Sequence, residues 1–104
     1  MKVLYTIALW MFTTVAMAAD IVWIDVRSAA EFQSGHKEGA INIPHTEIVA
    51  GVEKLQLAKD AEINLYCRSG RRAGAAQSDL QQSGYSRVKN IGGLTDALNY
   101  SAAD

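Results

Sequence analysis

The sequence predicts an α/β fold: one small domain with a parallel central sheet of about four to five strands, flanked by helices. Two observations carry this. Four short runs rich in strand-forming residues lie at 21–26, 40–43, 62–67 and 87–91, and the stretches between them include helical rather than alternating apolar spacing. Strands that alternate with helices pack as parallel sheets, each helix carrying the chain back over a sheet face. No internal repeat, low-complexity segment or second-domain linker interrupts the pattern, and 104 residues leave room for one domain.

The chain opens with Met1 and Lys2 and then carries no charge until Asp20. A basic start, an apolar middle and the small residues Ala16 and Ala18 predict a secretory signal peptide over 1–18, cleaved after Ala18. The competing reading, an uncleaved anchor helix, has 17 uncharged residues, short of the roughly 20 that span a bilayer comfortably. No cysteine near the cleavage site could carry a lipid. The expectation is therefore an exported, periplasmic protein without membrane attachment after cleavage, its domain spanning 19–104. The 86 residues left carry nine Lys/Arg against eleven Asp/Glu. A formal net charge of −2 offers no basic excess for nucleic acid.

"IVWIDV" at 21–26 is apolar and β-branched, as a buried strand requires, and Trp23 within it is expected in the core. Ser28 and Glu31 have capping-box spacing, which predicts a short helix through Phe32, stopped by Gly35. "AINI" at 40–43 predicts the second strand, ended by Pro44. Apolar residues at Ile48, Val49, Val52, Leu55 and Leu57 predict a helix within 46–57, weakened by Gly51. "EINLYC" at 62–67 is the third strand. Residues 72–83 lack β-branched side chains and place Ala73, Ala76 and Leu80 on one helical face, with Gly84 where a helix-ending glycine belongs. "RVKNI" at 87–91 is the fourth strand, and "IGGLTDAL" reads as a Gly-Gly turn followed by one more helical turn.

The only cysteine, Cys67, ends the third strand and is followed by Arg68, Ser69, Gly70, Arg71 and Arg72. The carboxyl edge of an open parallel sheet is where ligands bind. The helix that follows begins with N–H groups that have no backbone partners, and these attract anions. Gly70 lets successive N–H groups turn inward. A free cysteine is more often buried and inert than reactive. Three arginines and a helix start nevertheless favour a thiolate, and a thiolate in an anion cradle suits an anionic electrophile. Cys67 is expected as an exposed nucleophile.

"CRSGRR" at 67–72 resembles the active-site loop of rhodaneses, the thiosulfate:thiol or cyanide sulfurtransferases. "IDVR" at 24–27, "GHKEGAINIP" at 35–44 and "NIGGL" at 90–94 match the same family in order. The resemblance implies that Cys67 takes a sulfur from a small anionic donor such as thiosulfate and holds it as a persulfide. A thiophilic acceptor, cyanide or a thiol, then removes it. It also implies that Arg68, Ser69, Gly70, Arg71 and Arg72 bind the anion, with no metal or organic cofactor. A monomer is expected. Two departures are Ala97, at a place where the family often has tryptophan, and an end soon afterward at Asp104 in place of the usual longer tail; they are expected to open one wall of the active site or to leave the last helix loose.

Three alternative readings suit these residues less well. Tyrosine phosphatases and arsenate reductases space cysteine and arginine as C-x5-R, whereas here Arg72 closes C-x4-R and Ala73 takes the next position. A disulfide oxidoreductase needs C-x-x-C, and position 70 is glycine. A rhodanese-like module used only for binding would have no need of Cys67. Asp25 and Arg27 read as an ion pair or loop tether, and His36 as a hydrogen-bonded turn residue. His36 and His45 lack a metal-ligand spacing. Tyr66 faces away from Cys67 by strand alternation.

Overall fold

The computed structural model describes residues 20–101. They form four strands, β1 (Val22–Asp25), β2 (Ile41–Asn42), β3 (Ile63–Cys67) and β4 (Val88–Gly93). Four α-helices lie among them: α1 (Ala29–Gln33), α2 (Ile48–Lys54), α3 (Arg71–Gln82) and α4 (Leu94–Leu98). The expected signal peptide at 1–18 lies outside the described residues.

The strands pair in parallel in the order β2-β1-β3-β4. From β1 the chain first adds β2 on one side, then crosses to build β3 and β4 on the other. The border between β1 and β3 is thus the topological switch point, where an open parallel sheet leaves a crevice at its carboxyl edge. Asp25 ends β1 and Cys67 ends β3, so both chain segments that follow them open onto that crevice.

Strand alternation divides the interior into two layers. On one face Ile24, Val26, Ile63, Leu65 and Cys67 pack with Ile48 and Val52 of α2 and Ala73, Ala76 and Leu80 of α3. Each large aliphatic side chain buried here contributes roughly 1.5–3 kcal/mol. The small Ala73 and Ala76 let α3 approach the sheet closely, directly behind the Cys67 loop. On the other face Tyr66 is fully buried, its ring 6.4 Å from that of Trp23. Burial pushes its phenol up to about 12. Its hydroxyl accepts from the Lys37 N–H at 3.0 Å. The Lys37 ammonium lies over the Trp23 ring and donates to the Ala97 carbonyl, which ties "GHKEGA" to α4.

The helix expected within 46–57 is present as α2, preceded by a 3-10 turn at His45–Glu47 and closing at Lys54; Gln56 then takes a left-handed conformation that no helix continues. Two expectations are corrected. Gly92 and Gly93 are not a turn but the end of β4. Leu65 pairs with Asn90 and Tyr66 with Gly92, so Ile91 is an extra bulged residue. Trp23 is half-buried rather than core, because its side chain emerges on the thinner aromatic layer beside Tyr100.

Candidate active site

Cys67 is the last residue of a central strand whose five side chains are all buried. Its thiol is 1 % exposed, which corrects the expectation of an exposed nucleophile. The sulfur sits inward of its loop, with the start of α3 folded over it. A cysteine on a core-facing strand position must lie there, and the reactive edge is reached past the loop rather than from open surface.

The loop itself is built by Gly70. With φ at +97°, a conformation costly for a side-chain-bearing residue, it reverses the chain so that α3 starts above the sulfur. The Gly70 N–H donates to Cys67 Sγ at 2.9 Å. Burial acts to raise the thiol's pKa, but the amides of Ala73, Ser69, Gly70 and Arg72 oppose it. The balance lies below the ordinary thiol value. The backbone N–H groups favour the thiolate against burial, and they are the part of the site that a side-chain substitution cannot remove.

The loop is latched from β4. Asn90 Nδ2 donates to the Gly70 carbonyl at 2.8 Å, and Asn90 Oδ1 accepts from the Gly92 N–H at 3.0 Å. Gly93, paired with Cys67 in the sheet, lies so close to the loop that a Cβ there would run into the Arg68 carbonyl. Its N–H donates to the Asp96 carboxylate at 2.8 Å, which caps α4.

The arginines divide into two kinds. Arg68 and Arg71 are exposed, and no ion pair engages either of them among the described residues. Arg72 is half-buried and reaches Glu31 of α1 with two hydrogen bonds, at 2.9 and 3.1 Å. That bidentate pairing, with donation from the Ser28 N–H, holds Glu31 down to about 2. Arg72 therefore shares its charge with a carboxylate and anchors the loop to α1. A cleft of about 430 Å³ opens beside the loop, lined by His45, Ser69, Arg71, Arg72 and Ala75. Ala97 is buried, and its carbonyl accepts from the Lys37 ammonium.

Asp25 and Arg27 form the expected ion pair, fully inside the protein: the guanidinium meets both carboxylate oxygens, at 2.6 Å for the closest approach. Arg27 also donates to the Gly35 carbonyl, tethering the α1–β2 loop. His36 bonds the Phe32 carbonyl and stacks on Phe32, a turn role as expected. Reasoning from the sequence missed three contributors. Local pattern marks Glu31 as a cap, Asn90 as part of a matching segment and His45 as a histidine without metal-ligand spacing, and none of these signals a place beside the Cys67 loop. Among the described residues there is no group of three His, Cys, Asp or Glu that could hold a metal.

Comparison with known proteins agrees with this geometry. Residues 14–98 match the family model described as the rhodanese-like domain. The thiosulfate sulfurtransferase PspE of Escherichia coli K12 is 40% identical over 74 residues, covering 71% of each chain. The tRNA uridine(34) hydroxylase of Enterobacter sp. strain 638 is 36% identical over 78 residues, 71% of this chain but 22% of that protein. Among solved structures, an E. coli rhodanese with anions superposes with a TM-score of 0.71 at 39% identity, covering 74% of this chain and 91% of that one. The human single-domain sulfurtransferase TSTD1 shares the fold, with a TM-score of 0.65 at 24% identity over 79% and 84% of the two chains. A parallel sheet with a lone cysteine at its switch point and a matching family profile lead to one conclusion: the chain belongs to the rhodanese-like sulfurtransferase family.

Proposed function

We propose that this protein is a thiosulfate sulfurtransferase that works through a persulfide on Cys67. The observation that carries the reading is the sulfur of Cys67, held by the loop amides and drawn toward the thiolate. The Cys67 thiolate attacks the outer sulfur of thiosulfate, the S–S bond of the donor breaks, and its electron pair leaves with sulfite. The transferred sulfur stays on Cys67 with a negative charge, and the amides of Arg68 to Arg72 stabilise it. Arg71 and Arg68 supply the attraction for the dianionic donor, while Arg72, paired with Glu31, contributes less charge and more loop position. Cyanide or a thiol then takes the sulfur. The likeness to PspE supports thiosulfate as donor.

The protein is further proposed to be exported, with cleavage after Ala18, and to act in the periplasm as a monomer. Among the described residues no helix is long and apolar enough to cross a membrane. Intact mass spectrometry of protein produced with its own N-terminus tests both parts. The expected result is the mass of 19–104, gaining one sulfur on exposure to thiosulfate and losing it, as thiocyanate, to cyanide. Cys67→Ala should remain folded and gain no sulfur. A wild-type protein that neither gains sulfur nor yields thiocyanate overturns the reading.

A further inference from the structure

We propose that His45 is the proton shuttle of the second half-reaction, in which the sulfur passes from Cys67 to a thiol acceptor; this rests on the persulfide reading above. Loading of Cys67 from thiosulfate moves no proton. Unloading to a thiol does, because the thiol must lose its proton before its sulfur can attack. Of the cleft's lining residues, His45, Ser69, Arg71, Arg72 and Ala75, the arginines stay protonated and the serine hydroxyl does not titrate. Histidine alone accepts and returns a proton near neutrality.

The fold places His45 there by its backbone. Its N–H donates to the Val26 carbonyl at 3.0 Å, which holds the residue at the carboxyl edge of β1, across the switch point from Cys67. The ring is half-exposed and, among the described residues, engages no hydrogen-bond partner. His36 differs, since its Nδ1 is held by the Phe32 carbonyl. The charged groups around His45 are Arg71 and Arg72 of α3, with Glu31 of α1 behind Arg72. Glu47 follows two residues on, and the charged residues of α2, Glu53 and Lys54, lie at its far end.

The step balances as follows. A ring nitrogen of His45 takes the thiol proton, and the acceptor sulfur forms a bond to the outer sulfur of the Cys67 persulfide. The Cys67 S–S bond breaks, its electron pair returns to Cys67 as thiolate, and the proton passes from His45 to the transferred sulfur. The product is an acceptor persulfide, and no oxidant or reductant is consumed.

The test uses His45→Gln in the full chain. Cys67 is first loaded with thiosulfate and followed by mass. Transfer is then timed to two small thiols, one ionised at the assay pH and one protonated. Transfer to the protonated thiol should fall about 100-fold, transfer to the ionised thiol should change little, and the variant's pH profile should follow ionisation of the thiol itself. An equal loss with both thiols, or slowing of loading to the same degree as transfer, overturns the proposal and leaves His45 a structural residue. A wild-type protein that never loads sulfur overturns the persulfide reading, and the shuttle with it.

Discussion

Glu31→Gln separates two jobs that one carboxylate performs. Glutamine keeps an oxygen for the Ser28 N–H, so the cap of α1 survives. It cannot receive the Arg72 guanidinium on two oxygens, so the tie between α1 and the Cys67 loop is lost. In the wild type the Arg72 pairing, with the Ser28 N–H second to it, draws the Glu31 carboxyl from an ordinary 4.5 to about 2. At about 1.4 kcal/mol per tenfold change in proton affinity, that displacement sets a ceiling of roughly 3 kcal/mol. The two side chains are 31% and 26% exposed, so water screens the pair and the expected loss at neutral pH is about 1 kcal/mol.

The sign with pH follows from the direction of the displacement. A depressed folded-state pKa stabilises the protein fully above 4.5, and the contribution fades as pH falls toward 2. Urea unfolding of wild type and Glu31→Gln at neutral pH and at successively lower pH should therefore give curves that converge as the medium is acidified. Equal stability at neutral pH, or a gap that widens with acid, would refute the assignment of Arg72 as a loop anchor.

Two further substitutions probe the frame of the site. Asp25→Asn strands the Arg27 guanidinium without a carboxylate in a buried setting and should cost about 3–5 kcal/mol in chemical unfolding; a cost near zero would show that Gly35 and water satisfy the guanidinium alone. Gly93→Ala drives a methyl group into the Arg68 carbonyl, so it should destabilise the domain by about 1–3 kcal/mol and slow sulfur loading at Cys67. Unchanged loading, followed by mass, would mean that the loop yields without disturbing the amides around the sulfur.

Much of the architecture was legible because it depends on local patterns. Short strand-like runs marked all four strands, the Ser28–Glu31 spacing marked α1, and Gly84 marked the end of α3, each a property of neighbouring residues. The loop "CRSGRR" was legible for the same reason, since strand end, turn glycine and helix start are contiguous. The Asp25–Arg27 pair, two residues apart, could be read as well. What escaped was set by pairing across the sheet: the Ile91 bulge that carries Gly92 and Gly93 into β4 depends on the register against Leu65 and Tyr66, which no local pattern encodes.

By itself the sequence determined a parallel α/β domain with its one thiol at a strand end beneath an arginine-rich helix start, and four of its segments resemble the rhodanese family. Those features lie within a few residues of one another, so local geometry and chemistry suffice to read them. Only the tertiary structure decided how the site divides its labour. It buried the thiol, committed Arg72 to Glu31 across 41 positions of sequence, left Arg68 and Arg71 exposed, latched the loop through Asn90 and set His45 in the cleft wall. Each of these depends on parts of the chain that meet only when the sheet closes around its switch point.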